Sequence, residues 1–276
     1  MNITAAQVNE LRKLTGAGMM DCKKALVESD GDMEKAVDIL RKKGQKVAAK
    51  RADREAKDGV VLAKTNADHS YAAVLMINCE TEFVAKNEDF VKSAESILDL
   101  AIKNKIADAE GLKKLELNGR TVEDIITDQT GVIGEKIDLG AFEKIEAPFT
   151  AAYIHPGNRL ATVVGLNQKD NEKLAQIGRE LAMQVAAMDP VAVDEADVPQ
   201  DVIQREIEVG MEQARNEGKP EEMLEKIAKG KLNKFYRENT LLNQDFVREN
   251  KKSVRQYLSD VDKDLTVTAF KRLMLG

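Results

Sequence analysis

The amino-acid sequence predicts an α+β fold in which a small helical module precedes a duplicated core. Three observations support this: short helical apolar patterns fill the first 45 residues, strand-like apolar runs begin at Val60, and one order of elements occurs twice. With 276 residues, the chain is long enough for about two domains. Aromatic residues make up only 4% of it, so its cores should be built from aliphatic side chains.

Residues 1–45 should form a bundle of three short helices. Thr4 and Gln7 have the spacing of a capping box, and the first apolar stripe follows as Val8, Leu11 and Leu14. Two more stripes lie between residues 22 and 40, and Gly44 is the expected end of the third helix. Each helix is too short to be stable alone in water, so the three should pack together. A charged helical linker is expected over residues 46–57.

Residues 58–146 and 147–276 are predicted as two related subdomains of the core. Each contains strand, turn, strand and helix in that order, and the helix of the second copy should begin at Asn171. Helices and a loop at 130–134 are expected between the copies, and a last strand at 265–270. The duplication is inferred from the order of elements and not from repeated residues.

Residues 199–236 predict an antiparallel coiled-coil hairpin inserted into the second subdomain. Two apolar helical stripes flank a turn at 216–220. Each arm has about 17 residues and should be roughly 25 Å long at 1.5 Å per residue. Two arrangements stay open for this hairpin: contact with a second copy or another partner, and packing on its own core.

The charge distribution bears on the kind of partner. A net charge of −6 argues against binding nucleic acid through phosphate neutralisation. Residues 1–57 nevertheless carry 13 Lys and Arg against 9 Asp and Glu, with most of the excess in residues 41–57. This run is interpreted first as a solvated helix end and linker, with a contact strip for an acidic protein or RNA as the alternative.

Signals for export, membrane insertion and catalysis are missing from the sequence. Neither a signal peptide nor an apolar run of about 20 residues is visible, which predicts a soluble cytoplasmic protein without a membrane partner. Cys22 and Cys79 fit buried thiols, and His69 and His155 fall in predicted turns. Since no phosphate-binding loop or nucleophile motif is present, we expect no enzymatic reaction, cofactor or metal, and a function in binding.

Two sequence runs look suited to contact another protein. Residues 15–26 (TGAGMMDCKKAL) place two methionines after a glycine turn, and residues 78–86 (NCETEFVAK) offer a carboxylate beside an aromatic ring. Together with residues 153–157 (YIHPG), these runs resemble the signatures of the bacterial elongation factor Ts family. The resemblance covers essentially the whole chain.

The resemblance implies a guanine-nucleotide exchange factor for elongation factor Tu, the GTPase that carries aminoacyl-tRNA to the ribosome. It also implies that the N-terminal bundle is similar to ubiquitin-associated (UBA) domains. By the same resemblance, the bundle grips the partner through four residues: Arg12, Met19, Met20 and Lys23. Core filling is the alternative role for the two methionines.

The stretch expected to dislocate the partner's Mg²⁺ is Thr81, Glu82, Phe83 and Val84. The resemblance places Ile133 and Gly134 in an assisting loop, and His155 toward other domains of the partner, with a plain turn residue as the alternative for His155. Glu82 departs from the family, which has aspartate there, so its carboxylate reaches one methylene further. The mechanistic hypothesis is that Phe83 acts as a wedge and Glu82 perturbs the Mg²⁺ water shell.

Two other function classes stay open. The first is a non-catalytic scaffold that binds other proteins through the N-terminal bundle. The second is an RNA-associated factor that uses the basic residues 41–57, against which the overall acidity of the chain argues.

Overall fold

The computed structural model describes residues 3–169, 172–249 and 251–276, and its mixture of helices and strands confirms the predicted α+β class. The chain divides into two compact units. The first unit holds the chain up to Leu62 with Leu75–Phe142 and Met274–Gly276, and the second holds Ala63–Val74 with Glu143–Leu273. The predicted domain boundaries at residues 45, 57 and 146 stay predictions.

The first unit begins with three helices, α1 (Ala5–Thr15), α2 (Met19–Glu28) and α3 (Met33–Arg51). The predicted capping box is confirmed, because the Thr4 side chain accepts from the Gln7 backbone and the Gln7 side chain accepts from the Thr4 backbone. Their shared core is aliphatic, and its fully buried members are Leu11, Cys22, Leu26 and Ala36. The helices therefore form a small bundle of their own.

The remaining elements of this part of the chain alternate between strands and helices. They are β1 (Asp58–Thr65), β2 (Tyr71–Cys79), α4 (Glu82–Ala85), α5 (Glu88–Asn104), α6 (Ala109–Lys114), β3 (Glu116–Leu117), β4 (Arg120–Thr121), α7 (Val122–Ile133) and β5 (Asp138–Glu146). Strands β1, β2 and β5 form a three-stranded sheet with β2 in the centre, and β3 pairs antiparallel with β4. The sequence had not indicated β5.

Two predictions about the N-terminal helices are wrong. Leu14 does not belong to the buried stripe of α1, because its side chain is 66% exposed. The third helix does not end at Gly44 but continues to Arg51. Gly44 is buried against α7, where a Cβ added to Gly131 would overlap the Gly44 Cα. This glycine therefore allows two helices to approach closely, and it does not stop one.

The second unit contains a sheet built from β6 (Phe149–Ile154), β7 (Leu160–Leu166) and β8 (Val267–Met274). Strands β6 and β7 are antiparallel, and β7 lies in the middle of the order β6-β7-β8. The helices are α8 (Glu172–Met188), a single 3₁₀ turn at Glu195–Asp197, α9 (Gln200–Asn216), α10 (Glu221–Asn239) and α11 (Val254–Val261). The last strand ends four residues later than predicted, and Asn171 lies outside the described residues.

Helices α9 and α10 form the predicted antiparallel hairpin. That the two helices form a coiled coil stays a prediction. Gly210 packs against the backbone of Ala228, and Leu224 and Ala214 are fully buried. Near the turn, the Arg215 guanidinium donates to Glu221 at 2.7 Å. Among the described residues, no helix combines the length and the apolar character that crossing a membrane requires.

Candidate functional site

An exposed aromatic side chain follows the central strand of the first sheet. Residues 81–84, which we call the finger, begin at the end of β2 and form most of the single helical turn α4. The Phe83 side chain is 82% exposed, whereas Phe90, seven residues later, is buried at 3%. Val84 is half-buried, and Glu82 forms an exposed ion pair with Lys86 at 2.8 Å. The turn thus presents a ring and an acid to solvent.

The base of the finger is fixed by the carboxylate of Glu135. The backbone N–H groups of Glu80 and Thr81 both donate to its Oε2, at 3.1 and 3.0 Å. The Thr81 hydroxyl donates to its Oε1 at 2.7 Å. Hydrogen bonds to an ionised acceptor are stronger than those between neutral groups, so this carboxylate holds the connector firmly.

Glu80, in turn, binds the segment that carries Glu135. Its Oε1 accepts from the backbone N–H of Lys136 at 2.6 Å and from Arg51 at 2.7 Å, and its Oε2 accepts from Arg54 at 3.1 Å. The Lys136 N–H and then the two guanidinium groups lower the pKa of Glu80 to about 2. Its side chain is only 14% exposed, so the carboxylate is committed to these contacts.

The neighbouring thiol is inert and supports the same connector. Cys79 is buried, as predicted, and burial raises its pKa to about 11. The protonated thiol donates to the Thr81 carbonyl at 3.2 Å. Cys22 is likewise a buried free cysteine.

Ile133 and Gly134 end a helix and do not lie in a loop, so the predicted loop at 130–134 is wrong. The helix α7 runs to Ile133, and within its last turn Thr130 is buried, with a hydroxyl that donates to Ile126 and accepts from the N–H of Ile137. Gly134 then adopts a left-handed conformation with φ of 79°. This turn places Glu135, the next residue, under the finger.

A groove of about 940 Å³ lies beside the finger within the first unit. It is lined in part by Leu14, Val37, Phe83, Val84, Val132 and Ile133. The structure thus brings together two finger residues and Ile133, which are far apart in the sequence. Leu14 and Val132 were not foreseen as site residues, although both are exposed apolar side chains.

The N-terminal candidates lie on α1 and α2. Met19 and Met20 are the first two residues of α2, and their side chains are 54% and 64% exposed. Arg12 and Lys23 are also exposed. Because both methionines are exposed, the alternative of core filling does not hold.

His155 belongs to the second unit, in the turn between β6 and β7. It is exposed, its backbone N–H donates to Leu160 at 2.8 Å, and the Tyr153 hydroxyl lies 3.0 Å from its Nδ1. His69 also lies in a turn, as predicted, and its ring stacks on Phe149.

The described residues contain no candidate metal site. Histidine, cysteine and carboxylate side chains there form no cluster of three or more that could hold a metal ion. Glu80 and Glu135, which position the finger, were missed by the sequence analysis. A lone glutamate carries no local signal, and 55 residues separate the two in the chain.

Comparison with known proteins gives one consistent result. A sequence model of the family described as Elongation factor TS matches residues 80–276. Elongation factor Ts of Christiangramia forsetii is 51% identical over 274 residues, which is 99% of each chain. Elongation factor Ts of Amoebophilus asiaticus is 49% identical over 276 residues and spans both chains completely.

Proposed function

The chain belongs to the elongation factor Ts family, the guanine-nucleotide exchange factors of elongation factor Tu, and we propose that it releases GDP by inserting the finger beside the partner's nucleotide site. The observation that carries this proposal is the exposed ring of Phe83 on a base fixed by Glu135. A large apolar side chain left in water gains free energy when a partner covers it. In this proposal the chain acts by binding in the cytoplasm and catalyses no chemical reaction of its own.

The free energy needed to weaken GDP binding is similar to the free energy gained by burying one aromatic ring. Weakening GDP binding tenfold requires about 1.4 kcal/mol of differential contact. Burying an aromatic side chain contributes about 1.5–3 kcal/mol. Contacts of Phe83 that exist only in the nucleotide-free partner would therefore account for a tenfold effect or somewhat more.

Glu82 supplies the second part of the proposed action. Mg²⁺ in nucleotide sites usually keeps several water ligands, which a carboxylate disturbs at short range. The pair of Glu82 with Lys86 is exposed, and such pairs contribute little free energy. The Glu82 carboxylate is thus readily available to a partner site, and losing Mg²⁺ removes a main electrostatic anchor of GDP.

The remaining site residues are assigned to holding the partner. Met19 and Met20, with Arg12 and Lys23 on either side in the sequence, form an exposed apolar and basic surface on the N-terminal bundle, which we propose to be UBA-like. Ile133 in the groove and Gly134 next to it support the partner, and His155 contacts a different part of the partner. The coupling is reciprocal, because GDP lowers the affinity of the partner for this chain by the same factor.

The test is the release of a fluorescent GDP from elongation factor Tu, followed by stopped flow. We expect the chain to accelerate release, and Phe83→Ala to lose most of the acceleration at saturating concentration while still binding through the bundle. Val261→Ala is the matched control, since Val261 is an exposed apolar residue of the second unit. Wild-type rates with Phe83→Ala would refute the wedge.

The role of Glu82 needs its own measurement. We expect Glu82→Gln to slow GDP release in Mg²⁺ and to have no effect once Mg²⁺ is chelated. An equal slowing under both conditions would assign Glu82 a contact other than ion displacement.

The exposed methionines favour one further candidate, a scaffold that binds proteins through the bundle without exchange activity. Unaltered GDP release in the presence of a stable complex would support it.

We also propose that the hairpin α9–α10 joins two copies of the chain, because Val209 and Met223 on its arms are exposed. Sedimentation of the chain and of a Val209→Glu variant tests this, and a monomeric wild type would refute it.

A further inference from the structure

Three segments that are distant in the sequence meet at two carboxylates. They are the end of α3 and the turn after it, with Arg51 and Arg54, the β2–α4 connector with Glu80 and Thr81, and the α7–β5 connector with Glu135 and Lys136. We call Glu80 and Glu135 the clamp. Each clamp residue accepts from the backbone of the other's segment, so neither connector can shift without breaking bonds of the other.

The clamp is also tied to the turn that follows α3. The Lys136 ammonium donates to the carbonyls of Ala52 and Arg54, at 2.9 and 3.1 Å. Arg51 itself is the last residue of α3, so a continuous path of contacts runs from this helix to the finger. The path is short and consists mainly of charge-assisted hydrogen bonds, which are strongly directional.

A simple stabilising role does not account for this arrangement. Partly exposed ion pairs stabilise a fold only modestly, yet here the two carboxylates also bond backbone N–H groups of the two connectors: Glu135 accepts from Glu80 and Thr81, and Glu80 accepts from Lys136. What they hold in place is not a core side chain but the start of a turn whose ring is 82% exposed. Fixing the backbone beneath an exposed side chain contributes to binding a partner, since less conformational entropy is lost on contact.

We propose that Glu80 and Glu135 are positioning residues for nucleotide exchange, which hold the finger in the orientation that enters the partner and link it through Arg51 to α3. This inference rests on the proposed function. Without the clamp, the ring stays exposed but samples many orientations, so it enters the nucleotide site less often. Binding through Met19 and Met20 should be untouched, because the described hydrogen bonds of the clamp go to residues 51, 54, 80, 81 and 136 and not to α2.

The experiment separates positioning from affinity. Glu135→Ala removes both acceptor oxygens, and Glu135→Gln retains one of them and serves as the milder variant. Glu110→Ala is the matched control, because Glu110 forms an exposed ion pair with Lys113 in the same unit. For each full-length protein, GDP release from elongation factor Tu is measured against concentration, and hydrogen exchange is measured on the chain alone.

We expect Glu135→Ala to lower the saturating release rate roughly tenfold, as a small misplacement of an acting group does. The concentration for half-maximal release should change by less than about threefold, since the bundle still binds. The Glu80 and Thr81 amides should exchange faster, with the protection of other segments unchanged. Glu135→Gln should lie between wild type and Glu135→Ala, and Glu110→Ala should match wild type.

Other results would overturn the inference in recognisable ways. If wild type accelerates release and Glu135→Ala saturates at the same rate, the clamp does not position the finger, and the proposed function stands. If rate and affinity fall together with protection throughout the first unit, the clamp has a general structural role. If wild type gives no acceleration, the proposed function itself fails.

Discussion

The clamp in the first unit and a pair of glutamines in the second unit both hold a connector in place, the first with charged side chains and the second with neutral ones. Both hold a connector by side-chain bonds to backbone groups. The clamp is charged and only partly buried, and it supports an exposed finger. The glutamines, Gln184 and Gln244, are neutral and fully buried, and the segment they hold carries Phe246 into the core. The difference indicates that the clamp serves contact with a partner and the glutamines serve the fold.

The glutamine pair connects α8 to the segment that follows the helical hairpin. The Gln184 amide donates to Gln244 at 3.1 Å and to the Asp245 carbonyl at 3.2 Å, and its oxygen accepts from the Val247 N–H at 2.9 Å. Gln244 in turn donates to the carbonyls of Met188 and Glu238. All four side-chain polar atoms of the pair are hydrogen-bonded, which is the expected state of buried amides.

The largest effect on stability should come from breaking this pair. Gln184→Ala leaves the buried side-chain oxygen of Gln244 without its Gln184 donor and also removes the hydrogen bonds to the Asp245 carbonyl and the Val247 N–H, so the free energy of unfolding should fall by about 2–4 kcal/mol. Urea denaturation followed by circular dichroism measures this. The exposed Gln204→Ala is the control, and equal stability of the two variants would remove the distinction between the glutamines and the clamp.

A smaller, pH-dependent effect is expected at the clamp. The pKa of Glu80 is about 2 in the folded chain against 4.5 for an ordinary glutamate, so folding favours its ionised form. The stabilisation is complete above about pH 4.5 and is lost as the pH falls toward 2. Glu80→Gln should therefore be less stable than wild type by about 1–2 kcal/mol at pH 7, with the difference shrinking below pH 4.5. Urea denaturation at a series of pH values measures the difference, and a constant difference down to pH 3 would contradict this assignment.

The smallest effect on stability should come from the ring itself. Phe83→Ala removes an exposed side chain, so the free energy of unfolding should change by less than about 0.5 kcal/mol. Thermal unfolding of Phe83→Ala, Gln184→Ala and wild type compares the loss of stability in the two variants. A loss comparable to that of Gln184→Ala would mean that the ring packs within its own chain.

Local features of the fold could be predicted from the sequence, because neighbouring residues encode them. The Thr4 capping box, the burial of both cysteines and the helical hairpin are examples. Gly44 and Leu14 were misinterpreted because their roles depend on α7, which lies more than 75 residues away. The exposed pair of Glu82 and Phe83 was visible as a motif, whereas the clamp beneath it arises only when distant segments meet.

The clamp should act through the ring of Phe83, and a double-mutant cycle distinguishes this from two independent effects. Saturating GDP release from elongation factor Tu is measured for wild type, Phe83→Ala, Glu135→Ala and the double variant. If the clamp serves only to position Phe83, the double variant releases GDP no more slowly than Phe83→Ala alone. Losses that add in the double variant would show that the two residues act independently, and would contradict the account.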